Sequence, residues 1–187
     1  MSDTPQTPLM VGHGESIIVI RMTGRITSKE GSCFRDVLDQ SIGEKGTLVV
    51  LDMAACTGID STTLGIIASK TQEHFKRVGE HLTVINTPDK LSESLHEFGL
   101  GNYLQLFKRG ACPDSILQRA LSCDSTAEAI ETQPMDVEER NEIMLEAHEK
   151  LAGLSESNRL QFEDVLTFLR KSQQKKRAND DLNQACE

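Results

Sequence analysis

Hydroxyls, imidazoles and thiols are the groups in this chain that could do chemistry, and their spacing sorts them. The five histidines, His13, His74, His81, His96 and His148, are spread without a nucleophile–base pattern. The five cysteines, Cys33, Cys56, Cys112, Cys123 and Cys186, are scattered, and no pair has metal-ligand spacing. They read as reduced thiols of a cytosolic protein. Cys56 lies near Asp60, but on a strand end that reads as buried. The expectation is therefore a protein that is not an enzyme, with no catalytic residue, no metal ligand and no cofactor of its own. One run stands apart: Asp60-Ser61-Thr62-Thr63, between an apolar stretch and a helical pattern. Asp60 suits an N-cap, because its carboxylate can accept from a free N–H of the first turn. Ser61 would then occupy the first helical position, at the exposed tip of a strand-to-helix loop. Taken alone, such a run can be a capping sequence and nothing more.

The elements that must position this run follow from the apolar pattern. Ile17 to Ile20 form a β-branched run within a strand over 16–22, and Gly24 permits a turn after it. A helix over 29–42 carries Phe34, Val37, Leu38 and Ile42 on one face. Leu48 to Leu51 make a second buried strand within 47–53. The helix that starts at Ser61 runs to Val78, with Leu64, Ile67, Ala68, Thr71 and Phe75 near a 3.6 period, and Gly79 ends it. A strand over 82–85 leads to Thr87-Pro88, read as N-cap and first helical residue of a helix lined by Leu91, Leu95 and Phe98 and closed by Gly99. A short strand over 103–107 and a helix over 113–121, burying Ile116, Leu117 and Ala120, complete the set. Crossovers of this length pair consecutive strands in parallel with right-handed connections. The expected fold is α/β: a small mixed sheet packed with about four helices.

Composition limits the partners. The net charge of −9 opposes binding to phosphate backbones and anionic membranes, so neither nucleic acid nor membrane is expected as a partner. Aromatic residues make up 4%, too few for base-stacking platforms. No apolar run is long enough to span a bilayer, and Met1 to Met10 lacks the basic and apolar regions of a secretory signal, so a cytoplasmic location is expected.

The segment Leu51-Asp52-Met53-Ala54-Ala55-Cys56-Thr57-Gly58-Ile59-Asp60-Ser61-Thr62-Thr63-Leu64-Gly65 resembles the central signature of the STAS family, the anti-sigma factor antagonists. In that signature a strand is followed by an apolar residue, Asp-Ser, two small residues and Leu-Gly opening a helix. The likeness extends over roughly residues 10 to 122 and includes Met22-Thr23-Gly24, Gly79, Pro88 and Phe98-Gly99-Leu100. The resemblance implies a bacterial regulator of transcription that works by partner switching. Ser61 takes the place of the family's phosphoacceptor, with Thr62 as an alternative. The implied partners are an anti-sigma factor that is itself a serine kinase, and a metal-dependent serine/threonine phosphatase. The implied contact residues are Asp60, Ser61, Thr62, Thr63, Thr27 and Ser28. Two positions depart from the pattern: Thr63 stands where antagonists commonly have Gly, and Thr27 where they often have Asp facing the kinase. They favour the other reading, a STAS adaptor or scaffold subunit that is not phosphorylated. A phosphate on Ser61 would add about −1.5 to −2 charges. The positive end of the helix would tolerate it, so its effect is expected at the binding face rather than in the fold.

Beyond residue 123 the composition changes. Residues 124–135 read as an acidic linker, 136–176 as a helical hairpin and 177–187 as a polar tail, after an α/β domain over 1–123. Asp136 to Glu139 has the form of a capping box. Val137, Met144 and Leu151 recur every seven residues in the first helix. Ser155 can cap the second, whose apolar residues are Leu160, Phe162, Val165, Leu166 and Leu169. Neither helix can hide its stripe alone, so the pair must pack on itself, on the α/β domain or on another copy as a homodimer. Arg170, Lys171, Lys175, Lys176 and Arg177 read as a solvated helix end.

Overall fold

A computed structural model describes residues 7–184, with side chains for 7–174. It holds six strands: β1 (Leu9–Gly14), β2 (Ile17–Ile26), β3 (Leu48–Ile59), β4 (Leu82–Thr87), β5 (Leu104–Lys108) and β6 (Glu128–Ala129). The helices are α1 (Gly31–Ser41), α2 (Ser61–Val78), α3 (Asp89–Glu97), α4 (Asp114–Ser122), α5 (Val137–Ala152) and α6 (Glu156–Gln184). The sheet order is β5-β4-β3-β2-β1-β6. β2 to β5 pair in parallel, and β1 pairs antiparallel with both β2 and β6, so the sheet is mixed as expected.

Strand alternation divides the apolar residues between two faces. Ile20, Met22, Val49, Leu51 and Val84 face the main core, with Phe34 and Leu38 of α1 and Leu64, Ile67 and Ala68 of α2. Ile17, Val19, Val50 and Ile85 face a smaller core closed by α4 through Ala120. Of the three residues expected to be buried on α4, only Ala120 is; Ile116 and Leu117 are partly covered.

Four local expectations are corrected. Gly24 makes no turn. It sits inside β2 with φ +71°, between two register shifts, and pairing resumes at Arg25↔Gly58 and Ile26↔Ile59. Thr87 does not cap α3: its hydroxyl is buried without a partner, and Pro88 holds the cap position. β1 and β6 were not anticipated. β1 carries Gly12, where a Cβ would overlap the backbone carbonyl of Cys123, so a glycine in a strand here reflects close approach of another segment. The acidic stretch begins as part of the fold: Asp124 pairs with Arg21, and β6 lies along β1.

The C-terminal helices pack on each other and on the α/β unit. Ile143, Leu151, Phe162 and Leu166 belong to the same apolar cluster as the main core. The seam of α5 is Ile143, Ala147, His148 and Leu151, not the sevenfold set: Val137 is exposed and Met144 half-buried. Leu160 of α6 is likewise exposed. Ser155 caps α6 by accepting from the Asn158 N–H at 3.1 Å, as expected. Asp136 caps α5, but Glu139 does not reach back to it; its carboxylate accepts from Ser32 Oγ of α1 at 2.8 Å. Arg170 is paired with Glu149 of α5, and the side chains of Lys175, Lys176 and Arg177 lie outside the described residues. No described helix is long and apolar enough to cross a membrane.

Candidate functional site

β2 and β3 run side by side to Ile26 and Ile59, which delivers Asp60 and the head of α2 next to the loop that opens α1. Asp60 is the N-cap of α2, in extended backbone geometry. Its Oδ1 accepts from the Thr63 N–H at 2.8 Å and from Thr63 Oγ1 at 2.9 Å. Its Oδ2 accepts from the Ser28 N–H at 2.7 Å. One carboxylate thus caps a helix and fastens the β2–α1 loop to it. Thr27 is engaged locally, its N–H and hydroxyl both donating to Glu30.

The four residues of the run have different surroundings. Thr62 and Thr63 are 2% and 0% exposed, so their hydroxyls face the interior. Ser61 is half-buried and borders an open depression lined also by Arg25, Asp60, Lys90, Leu91, Ser94 and Phe98. Two cationic side chains therefore stand in the wall of the depression to which Asp60 and Ser61, but not the buried Thr62 and Thr63, contribute. Thr27 and Ser28 are half-buried and close to Asp60 through the Ser28 bond.

Sequence reasoning missed one member of this constellation. Ser61 Oγ lies 2.9 Å from Nε2 of His148, which comes from α5. The His148 Nδ1–H donates to the Met144 carbonyl at 2.6 Å, and the ring meets Phe162 edge-on. A hydroxyl–imidazole pair does exist, although the histidines looked isolated in sequence. A backbone carbonyl stands behind the imidazole rather than a carboxylate. No local signal could have found it, because the partners are 87 residues apart. Cys56 is buried on β3, and burial pushes its thiol up from the ordinary value. Among the described residues, no three His, Cys, Asp or Glu side chains group as metal ligands.

The match to known families decides what this unit is. Residues 9–110 match the STAS domain model. The chain belongs to the STAS domain family. Its described fold is similar to solved STAS-like structures at low identity. An anti-sigma factor antagonist from Mycobacterium paratuberculosis is 17% identical, with a TM-score of 0.50 over 65% of this chain and 99% of that one. The Bacillus cell fate determinant SpoIIAA in its phosphorylated form is 15% identical, with a TM-score of 0.46 over 59% and 97%. A sulfate transporter family protein from Wolinella succinogenes is 22% identical, with a TM-score of 0.47 over 60% and 91%. No curated protein sequence matches. The STAS match ends at residue 110, so α5 and α6, which supply His148 to the site, lie outside it.

Proposed function

We propose that this protein is a cytoplasmic, regulatory protein-binding module: an anti-sigma factor antagonist that switches partners through phosphorylation of Ser61. The unmodified form binds an anti-sigma factor and frees its sigma factor. The anti-sigma factor, a serine kinase, then modifies Ser61 and the complex separates. A metal-dependent serine/threonine phosphatase resets the cycle. ATP and magnesium belong to those partners. The observation that carries this reading is the position of Ser61, the residue after the capping Asp60 and the one hydroxyl of the run beside an open, cation-lined depression. The burial of Thr62 favours Ser61 over it as acceptor. A phosphate at this point would meet the positive helix end and Arg25 and Lys90, so the α/β unit can carry it while the surface seen by a partner changes. Intact-mass measurement after treatment with the cognate kinase tests the reading. Wild type should gain one phosphate, Ser61→Ala none, and Ser61→Asp should lose the anti-sigma partner in a pull-down. Phosphate elsewhere with Ser61 untouched would overturn it.

A second reading, a STAS adaptor that is never phosphorylated, is favoured by one observation: the Ser61 hydroxyl is already engaged by His148 of the C-terminal helices. Partners that co-purify equally with wild type and Ser61→Asp would support it.

A further inference from the structure

The C-terminal hairpin does more than cover apolar surface. It approaches α2 so closely that a Cβ on Gly65 would overlap the backbone of Ala147, one residue before His148. That contact fixes α5 against the first turns of α2, and Ile143 and Leu151 flank it in the core. Ser32–Glu139 and Arg35–Glu146 tie α5 to α1 as well. At the centre of this packed seam lies one polar contact, Ser61 to His148, with the imidazole 3% exposed.

Its donor and acceptor can be assigned. The Met144 carbonyl can only accept, so Nδ1 carries the hydrogen. In the neutral ring, Nε2 then offers a lone pair, and the Ser61 O–H must donate to it. We propose that His148 is the positioning residue and sensor of the Ser61 hydroxyl: the O–H···Nε2 bond latches the C-terminal hairpin to α2, and loss of that O–H releases α5.

The chemistry gives the direction. Esterification of Ser61 replaces the hydroxyl hydrogen with a phosphoryl group, so Oγ no longer donates. The O–H···Nε2 bond is lost, and a group far larger than a hydrogen must fit in a packed seam where Nε2 stands 2.9 Å from Oγ. The modification that changes the partner face would in the same step free a pair of helices with an apolar inner seam. The inference rests on the phosphorylation reading only for what modifies Ser61, since substitutions remove the O–H without any kinase.

The experiment is amide hydrogen exchange on the full chain, with nitrogen NMR of the His148 ring. Ser61→Ala should speed exchange across residues 143–151 by about tenfold or more, while β2 and β3 keep their protection. The Nε2 resonance should move as its donor is lost. Ser61→Thr, which keeps the O–H, should stay within about twofold of wild type. Wild-type exchange and an unmoved Nε2 signal in Ser61→Ala would overturn the latch. So would equal acceleration in Ser61→Ala and Ser61→Thr, which would make the effect one of packing. A Ser61 that no kinase modifies would sink the phosphorylation reading and leave the latch intact, so the two failures are distinguishable.

Discussion

Asp60 and Asp136 do the same job at the heads of two helices that pack on each other. Each accepts from the N–H three residues on, at 2.8 Å. Their settings differ. Asp136 is exposed, and beyond its cap bond no hydrogen bond to another element is described for it. Asp60 is half-buried, and the same carboxylate also holds Thr63 Oγ1 and the Ser28 N–H, so it joins α2 to the loop before α1. A capping residue becomes a site when the fold gives its remaining lone pairs work to do. α2 begins at the meeting point of two parallel strands, a loop and a helix from the far end of the chain. α5 begins at a loop on the surface.

The sharpest way to break this contrast is to remove both carboxylates in turn. Asp60→Ala should lower unfolding free energy by about 3 kcal/mol, since a helix cap and a bond to a charged group are lost together. Denaturant titration measures it, and a loss no larger than that of Asp136→Ala would erase the distinction. Gly65→Ala comes next, at about 2 kcal/mol from overpacking against Ala147. Its signature is regional: exchange should accelerate in α5 and α6 and not in the sheet. Asp136→Ala should cost about 1 kcal/mol, an ordinary cap loss, and leave partner binding unchanged in a pull-down.

The smallest effect lies at the other end of α2 and is one of pH. His74 is 1% exposed, and its Nδ1 accepts from the Gly43 N–H at 3.2 Å. Burial lowers its pKa from the ordinary 6.5, with Glu80 opposing and His81 assisting. The folded state therefore resists a proton that the unfolded chain accepts. The stabilisation is present above 6.5 and is lost as pH falls through the window beneath that value. His74→Gln should flatten that part of the profile of melting temperature against pH. An unchanged slope would show that other groups set it.

How much of this was legible in advance depended on range. The α2 helix was readable from end to end, because Asp60, the apolar period and Gly79 are local signals that all agree. β1 and β6 were not, because Gly12 and Gly14 weaken one and two residues give no pattern for the other. The hairpin was legible as two helices and not as a seam: a sevenfold spacing pointed to Val137 and Met144, while the docked helix buries Ile143, Ala147 and His148 beside Leu151.

Local pattern in the sequence set the order of elements from β2 to α4, the capped start of α2 and the hydroxyl at position 61, since each rests on residues within a few positions of one another. That Thr62 and Thr63 face inward, and that Ser61 meets an imidazole from the C-terminal helices, came from long-range packing. The physical reason is that a local pattern sets which face of a helix is apolar. What arrives on the remaining faces is fixed by packing between segments far apart in the chain, and spacing along the chain does not encode it.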